Sequence, residues 1–530
     1  MTYPNPDNPY GFNEFLEWRK NFDFYADDPF LQKVLARFAG KDFPAVDKAA
    51  RLLSKKASFR WRDLAEAAAS PENRPILVNY DGHGNRVDRI VRPMETLLME
   101  REVFSEALFS ERTSPWERVI KMFLIAENSE SCLVCPITCT EGLAALIRRF
   151  ADTDELKGIL AHIAEGIDGN FAIGAQYLSE IQGGSDVAAN LLEAVPENGH
   201  FRLYGKKFFC SATHADYAVV TAKPRGSEKV GVFVVPSWLP GNREREIRNG
   251  YTIDRIKWKM GTAELTTGEI TYNGAVAYSV GPLDRGIANA VGIVLTLSRM
   301  TIALGGAAGL VRASREALRY ADFRKAFGVR LADFPMVRMD LEVVSDAAMR
   351  STVGCFAVYD EFFRMPGGLE GGLGKNEEPE IKKRRFRLRQ IIMLQKITVA
   401  QDSVDMLRKA MSIFGGHGVM EDFSILPRLY RDAAVNELWE GPRNVLLTQM
   451  YRDFKRAAAW YPPKAFVRDL LKGAETDVVS EFSGEITDLT GPDDLFGEGA
   501  EELCLRWDCF CEDLFHAWQA VQLDLLESDQ

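Results

Sequence analysis

A glutamate set between a tryptophan and a glycine, in Leu438-Trp439-Glu440-Gly441, is an acid–base candidate, with an ordinary solvated carboxylate as the other reading. An indole beside a carboxyl keeps water away, and burial raises a carboxyl pKa towards the range useful for a base. A second candidate is the turn Gly183-Gly184-Ser185-Asp186, whose amides and hydroxyls could hold an anion such as a pyrophosphate. A third is Arg324 in Phe323-Arg324-Lys325-Ala326-Phe327-Gly328, suited to bidentate phosphate binding or to the dipole at a helix end. Cys132, Cys135 and Cys139 are closely spaced, but no second pair follows at zinc-site spacing. Six histidines supply no HExxH and no triad, so no metal is expected, and the eight cysteines are expected to be buried, reduced thiols. The GxxxxGK[ST], GxSxG and strand–GxGxxG–helix patterns are absent, which argues against a Rossmann dinucleotide fold.

Three kinds of local pattern would have to position these groups. The first ~165 residues carry apolar positions at helical spacing, such as Leu31, Val34, Leu35 and Phe38. Turn formers interrupt them at Ser70–Arg92, which is expected to be a loop or short extended region. From about Asn170, short β-branched and aromatic runs bounded by Gly, Pro and Asn predict strands, with Asn273-Gly274 as a hairpin turn. Helical patterning returns at Gly286, where Gly305, Gly306, Ala307, Ala308 and Gly309 would let another helix approach closely. A second long helix is predicted from about Lys382 to Phe414 with Gly415 as its C-cap, and Arg364–Glu380 between the two is expected to be a flexible insertion. The expected organisation is a helical domain at 1–168, a β domain at 169–282, a helical bundle at 283–455 and an acidic helical extension at 456–530.

Composition sets limits on function. The 530 residues are 46% hydrophobic and 27% charged, an ordinary globular balance that excludes collagen-like, disordered and disulfide-scaffold classes. The net charge is −11, and it is unevenly spread: Ala457–Gln530 holds 17 acidic against 4 basic residues, leaving +2 for the rest. An extension that acidic repels a phosphate backbone, so nucleic acid is not an expected partner. The basic run Lys382, Lys383, Arg384, Arg385, Arg387 and Arg389 is expected to be a solvated helix start, with an anionic ligand such as CoA, or another subunit, as the alternative occupant. No run of ~18 consecutive apolar residues predicts a membrane span, and MTYPNPDNPYGFNEFLEW has no signal-peptide pattern, so a cytoplasmic location is expected.

Taken together, LSEIQGGSDVAAN, FRKAFG and LPRLYRD…LWEG, in this order over about Asp168–Arg452, resemble the flavin-dependent acyl-CoA dehydrogenases. With NYDGHGNRVD near Asn79–Asp88, the text is most similar to the AidB-type, alkylation-response branch, which has a longer helical N-terminus and an added C-terminal helical domain. The resemblance implies an α+β multidomain fold: N-terminal helical domain, middle β domain, C-terminal helical bundle and extra C-terminal helices. It implies FAD as cofactor, with Leu178 and Ser179 by the flavin ring, Gly184 and Ser185 on the pyrophosphate side, and Phe209 and Ser211 at the family's Trp-x-Thr pair. Arg324 and Phe327 would reach the FAD of a neighbouring subunit in a dimer or tetramer, with Gly415, Gly416 and Asn444 as further cofactor contacts. Glu440 would be the base that removes the α-proton of an acyl-CoA as the β-hydride leaves, with Arg299 orienting it. The other helix position used for a base in some members is Ser298 here, which has no carboxylate. An electron-transfer flavoprotein or oxygen would take the electrons. Pro442, Phe334 and Tyr177 depart from the pattern, and each implies an altered cofactor contact. The alternative implied is an AidB-type flavoprotein with a stress-response or nucleic-acid-associated role and little acyl-CoA activity.

Overall fold

A computed structural model describes residues 11–367, 377–491 and 494–528. Helices fill the first part, among them Pro29–Ala39, Phe43–Lys55, Pro115–Ala126 and Val134–Phe150. Their starts follow local rules: Asp28, Ser114 and Thr153 each accept a backbone N–H of the first turn, and Pro29 and Pro115 stand where a helix needs no N–H. The turn-rich Ser70–Arg92 segment forms an antiparallel hairpin, Ile76–Tyr80 with Arg86–Val91. The hairpin is held to the β domain by Asn79, whose amide donates to the Ile253 carbonyl at 3.0 Å.

The middle of the chain is a seven-stranded sheet. In spatial order its strands are Gly174–Tyr177, Tyr217–Pro224, Glu193–Glu197, His200–Ser211, Thr267–Ser279 and Gly231–Pro236, with Tyr251–Ile256 beside Thr267–Ser279. Gly231–Pro236 also pairs with Tyr217–Pro224, which closes five of the strands into a ring. Asn273-Gly274 is not a hairpin turn but lies inside Thr267–Ser279. Gly274 has φ 86°, and the register opposite Leu203 and Tyr204 slips by one residue there. This is a β-bulge, which needs the same left-handed glycine as a tight turn.

The core helix Thr296–Phe323 follows a π-helical turn, Ala290–Leu295. Leu283–Phe323 has the length and mean hydropathy, 1.7, of a membrane span, but 67% of its most apolar window is buried inside the protein. Two of its five arginines, Arg299 and Arg312, are buried with it. Helix Pro379–Phe414 runs against it at the small-residue cluster, where a Cβ on Gly306 would stand 2.9 Å from Ser403 Oγ and 3.0 Å from Val399 Cγ1. That helix ends at Gly415, φ 58°, as the sequence predicts. The described parts of the Arg364–Glu380 insertion are 364–367 and 377–380; the rest of it lies outside the described residues.

The basic run is not a solvated helix start, because four of its arginines have carboxylate partners. Arg384 pairs with Glu361, Arg385 with Glu377, Arg387 with Asp469 and Arg389 with Asp453. One of these acids, Asp469, belongs to the acidic extension, whose helices Pro463–Leu470, Thr476–Leu489 and Glu501–Ser528 fold back onto the bundle. Trp507 is 1% exposed there and its indole donates to the Leu447 carbonyl at 3.0 Å. Six cysteines are buried as expected, but Cys504 and Cys509 on the last helix are exposed.

Candidate active site

Glu440 occupies a turn with left-handed backbone, φ 55°, followed by Gly441 at φ 100°. A glutamate in this region costs about 1–3 kcal/mol and persists only where its surroundings over-determine it. Three cationic bonds do so. Arg299 Nε donates to the Glu440 carbonyl at 3.0 Å, and Lys396 Nζ donates to the carbonyls of Glu437 at 2.9 Å and Gly441 at 2.8 Å. The Arg299 bond is charge-assisted, a class about twice as strong as neutral bonds.

The Glu440 carboxyl is one-sided. Oε1 accepts from Gln176 Nε2 at 2.5 Å and from Ser298 Oγ at 2.8 Å, while among the described residues no donor reaches Oε2. Burial pushes this carboxyl above its ordinary pKa, and Ser298, Arg299, Lys396 and Gln176 pull it part of the way back. Burial also lowers its cationic neighbours against the attraction of Glu440: Arg299 to about 10 and Lys396 to about 7. The result is a carboxyl poised by opposing effects.

Glu440 faces a cavity of about 690 Å³. Eight of the residues singled out from sequence line it together: Leu178, Ser179, Gly184, Ser185, Phe209, Ser211, Arg299 and Glu440. The 178–185 loop is rigidly set. Buried Glu180 pairs with buried Lys207 at 2.8 Å and accepts the N–H groups of Leu191 and Leu192. Lys207 also donates to the Leu178 carbonyl, and the Phe208 N–H donates to the Ser179 carbonyl at 3.0 Å. That last bond ties the loop to the strand carrying Phe209 and Ser211.

The other five lie outside this cavity. Arg324 sits beyond the far end of the core helix, its guanidinium 5.5 Å from the Phe12 ring. Phe327 tips the hairpin Lys325–Ala326 with Val329–Arg330, and it is 98% exposed at φ 52°. Gly415 and Gly416 open the 3-10 turn that follows Pro379–Phe414, and Asn444 is exposed on the first turn of Arg443–Ala457. Of the three departures, Pro442 lines the cavity, and Phe334 caps the helix Pro335–Phe363 with its ring 6.4 Å from that of Phe327. Tyr177 points elsewhere: it is 3% exposed in the core and its hydroxyl donates to the Ala212 carbonyl.

Sequence reasoning missed Gln176 and Thr138 on the cavity wall and Lys396 on the turn, and it read Cys135 and Cys139, which also line the cavity, only as buried thiols. Two of these carried a signal. Gln176 alternates with Leu178 across the end of a strand, and 135, 138 and 139 repeat at helical spacing on Val134–Phe150. Cys132 lies apart, within 4.8 Å of Glu100 and His214. Glu100 of this trio is already paired: Arg92 donates to both of its carboxylate oxygens, at 2.5 and 2.9 Å, and against the burial that would raise it the carboxyl is held at about 2.

Three family models tile the chain: the acyl-CoA dehydrogenase middle domain over residues 175–275, the acyl-CoA dehydrogenase C-terminal domain over 284–351 and 376–454, and the adaptive response protein AidB N-terminal domain over 16–164. The chain belongs to the acyl-CoA dehydrogenase family. With that membership it is an oxidoreductase. Acyl-CoA dehydrogenase family member 11 of Caenorhabditis elegans is 28% identical over 81% of this chain and 70% of its own length. The putative acyl-CoA dehydrogenase AidB of Escherichia coli (strain K12) is 26% identical over 88% and 83%. Two solved structures share the fold. Bd2924 in its apo-form superposes with TM-score 0.83 at 23% identity, over 96% of this chain and 98% of that one. C. elegans ACDH-11 in complex with C11-CoA gives TM-score 0.80 at 22% identity, over 95% and 90%.

Proposed function

We propose that this protein is an FAD-dependent acyl-CoA dehydrogenase that desaturates an acyl-CoA thioester between Cα and Cβ, with Glu440 as the base. The observation that carries the reading is that Glu440, the loop and strand expected to serve a flavin, and the arginine expected to orient Glu440 line one cavity. The residues fit FAD: the cavity offers the hydroxyls of Ser179, Ser185 and Ser211, a half-exposed Phe209 ring, and Gln176 Oε1, which is buried without a partner. Bound FAD supplies the two-electron acceptor for the hydride that leaves Cβ. Glu440 takes the α-proton on Oε2, the oxygen left free of donors, while Gln176 and Ser298 fix Oε1. Arg299 and Lys396 hold the turn, so the carboxylate does not reorganise as it acts. General-base assistance of this kind contributes roughly 10²–10⁴-fold.

A neighbouring cavity of about 800 Å³ shares Val291, Arg299 and Gln449 with the first. Lys229, Arg285, Arg385 and Arg389 also line it, against the carboxylates of Glu228 and Asp284, which suits the phosphates of a CoA. The same reading makes the protein a homo-oligomer through the exposed Phe327 hairpin and gives it an electron-transfer flavoprotein as acceptor. The test is steady-state turnover of FAD-loaded protein on a panel of acyl-CoAs with a dye acceptor: enoyl-CoA product is expected, and its absence across the panel overturns the reading.

One observation favours the AidB-type alternative, the match of residues 16–164 to the AidB N-terminal model. An acidic extension folded against the bundle weighs against nucleic acid. Saturable micromolar binding of duplex DNA, with a steep salt dependence, is the result that would favour it.

A further inference from the structure

The acidic extension has a second place of contact with the bundle, three residues beyond the base. Helix Arg443–Ala457 starts badly on its own: its N-cap is Pro442, which makes no side-chain cap, and its first residue is a cation. A positive charge at a helix N-terminus has the wrong sign for the macrodipole. The C-terminal helix Glu501–Ser528 corrects this. Arg443 Nε donates to Asp508 Oδ1 at 2.6 Å, and Arg443 Nη2 donates to Glu512 Oε2 at 2.7 Å. Asp508 and Glu512 are four residues apart and so share one face of their helix.

The same face is fixed to the helix that carries Lys396. Gln401 Nε2 donates to Glu512 Oε2 at 3.3 Å, and His516 Nε2 lies 2.9 Å from Asp402 Oδ2. The turn from Glu437 to Pro442 is therefore held on one side by Lys396 and on the other by Arg443, and the helix Pro379–Phe414 and the C-terminal helix lock these two cations to each other. We propose that Asp508 and Glu512, acting through Arg443, are positioning residues for Glu440, and that setting the catalytic turn is what the C-terminal helix does for the reaction. This rests on Glu440 being the base, as proposed above.

The test compares the full-length Asp508→Asn/Glu512→Gln and Arg443→Met variants with wild type by amide hydrogen exchange, without and with FAD. Exchange over 437–445 is expected to rise about tenfold in both variants, while the helix Pro335–Phe363 stays as protected as in wild type. Asp469→Asn, which removes the Arg387 pair elsewhere in the extension, is expected to leave 437–445 unchanged. With C11-CoA as probe, kcat is expected to fall about tenfold at unchanged KM, because the interaction set is that of the base and not of substrate binding. Should the double variant fold poorly, Glu512→Gln alone keeps the Asp508 bond and is expected to give about a threefold rise in exchange. Unchanged exchange over 437–445, or a rise shared equally by Pro335–Phe363, overturns the proposal. A wild type that turns over no acyl-CoA while exchange responds as stated contradicts the dehydrogenase reading and leaves standing the hold of Asp508 and Glu512 on the 437–442 turn.

Discussion

Replacing Ser298 by alanine removes the hydroxyl that donates to Glu440 Oε1 at 2.8 Å and leaves the cationic clasp of the turn intact. A hydrogen bond to a charged group is worth about 1.5–3 kcal/mol, and about 1.4 kcal/mol corresponds to one pKa unit. Gln176 stays on the same oxygen at 2.5 Å, so the lower end applies: about one unit. The sign follows from the charge. The Ser298 hydroxyl favours the carboxylate and lowers a pKa that burial has already raised, so its loss raises the pKa further. The base works only when ionised, so activity rises with pH through this pKa. In S298A the acid limb of kcat/KM therefore moves about one unit to higher pH. Below the limb the variant is about tenfold slower than wild type, and above it the two converge. Stopped-flow reduction of the FAD-loaded protein across pH, by whichever acyl-CoA of a panel it turns over, reads this directly. A limb that stays in place, or moves to lower pH, refutes the assignment of Ser298 and Glu440 as a coupled pair.

Glu440→Gln keeps shape and removes the base, so kcat is expected to fall by roughly 10²–10⁴ with FAD still bound, as absorbance of the gel-filtered protein will show. Lys396 is a cation whose pKa falls from 10.5 unfolded to about 7 in the fold. The stability it contributes is complete above pH 10.5 and is lost as pH drops through about 7. The gap in unfolding free energy between wild type and Lys396→Met should therefore shrink as pH falls across that window, and a constant gap in urea titrations would contradict it. Phe327→Ser removes a ring that is 98% exposed, so the melting temperature of the monomer should hold while sedimentation velocity shows a smaller particle.

What could be read from the sequence was the chemistry carried by contiguous residues. The Leu178–Ser185 loop, the Phe209/Ser211 pair and Glu440 were each legible as short motifs, and the fold brings them to one cavity. The clasp that makes Glu440 usable was not legible, because Lys396 lies 44 positions earlier in the apolar run Ile391–Ala400 and its partners are backbone carbonyls. Asn273-Gly274 was misleading for a physical reason. A bulge and a hairpin turn ask the same left-handed conformation of glycine, and only the strand His200–Ser211 alongside decides between them. The basic run at 382–389 failed likewise: charge counts give the cations but not the carboxylates at 361, 377, 453 and 469 that meet them. Gly174–Tyr177 is four residues long and pairs in parallel with Tyr217–Pro224, some forty residues on, so no local turn announces it.

The measurement that bears most directly on the central claim is an anaerobic titration of the FAD-loaded protein with acyl-CoAs of graded chain length, followed by visible absorbance, for wild type and Glu440→Gln side by side. The account predicts that at least one chain class bleaches the flavin band of the wild type and that the same acyl-CoA leaves the variant yellow. Bleaching that is as fast in Glu440→Gln as in wild type, or a wild type that no acyl-CoA reduces, would contradict it.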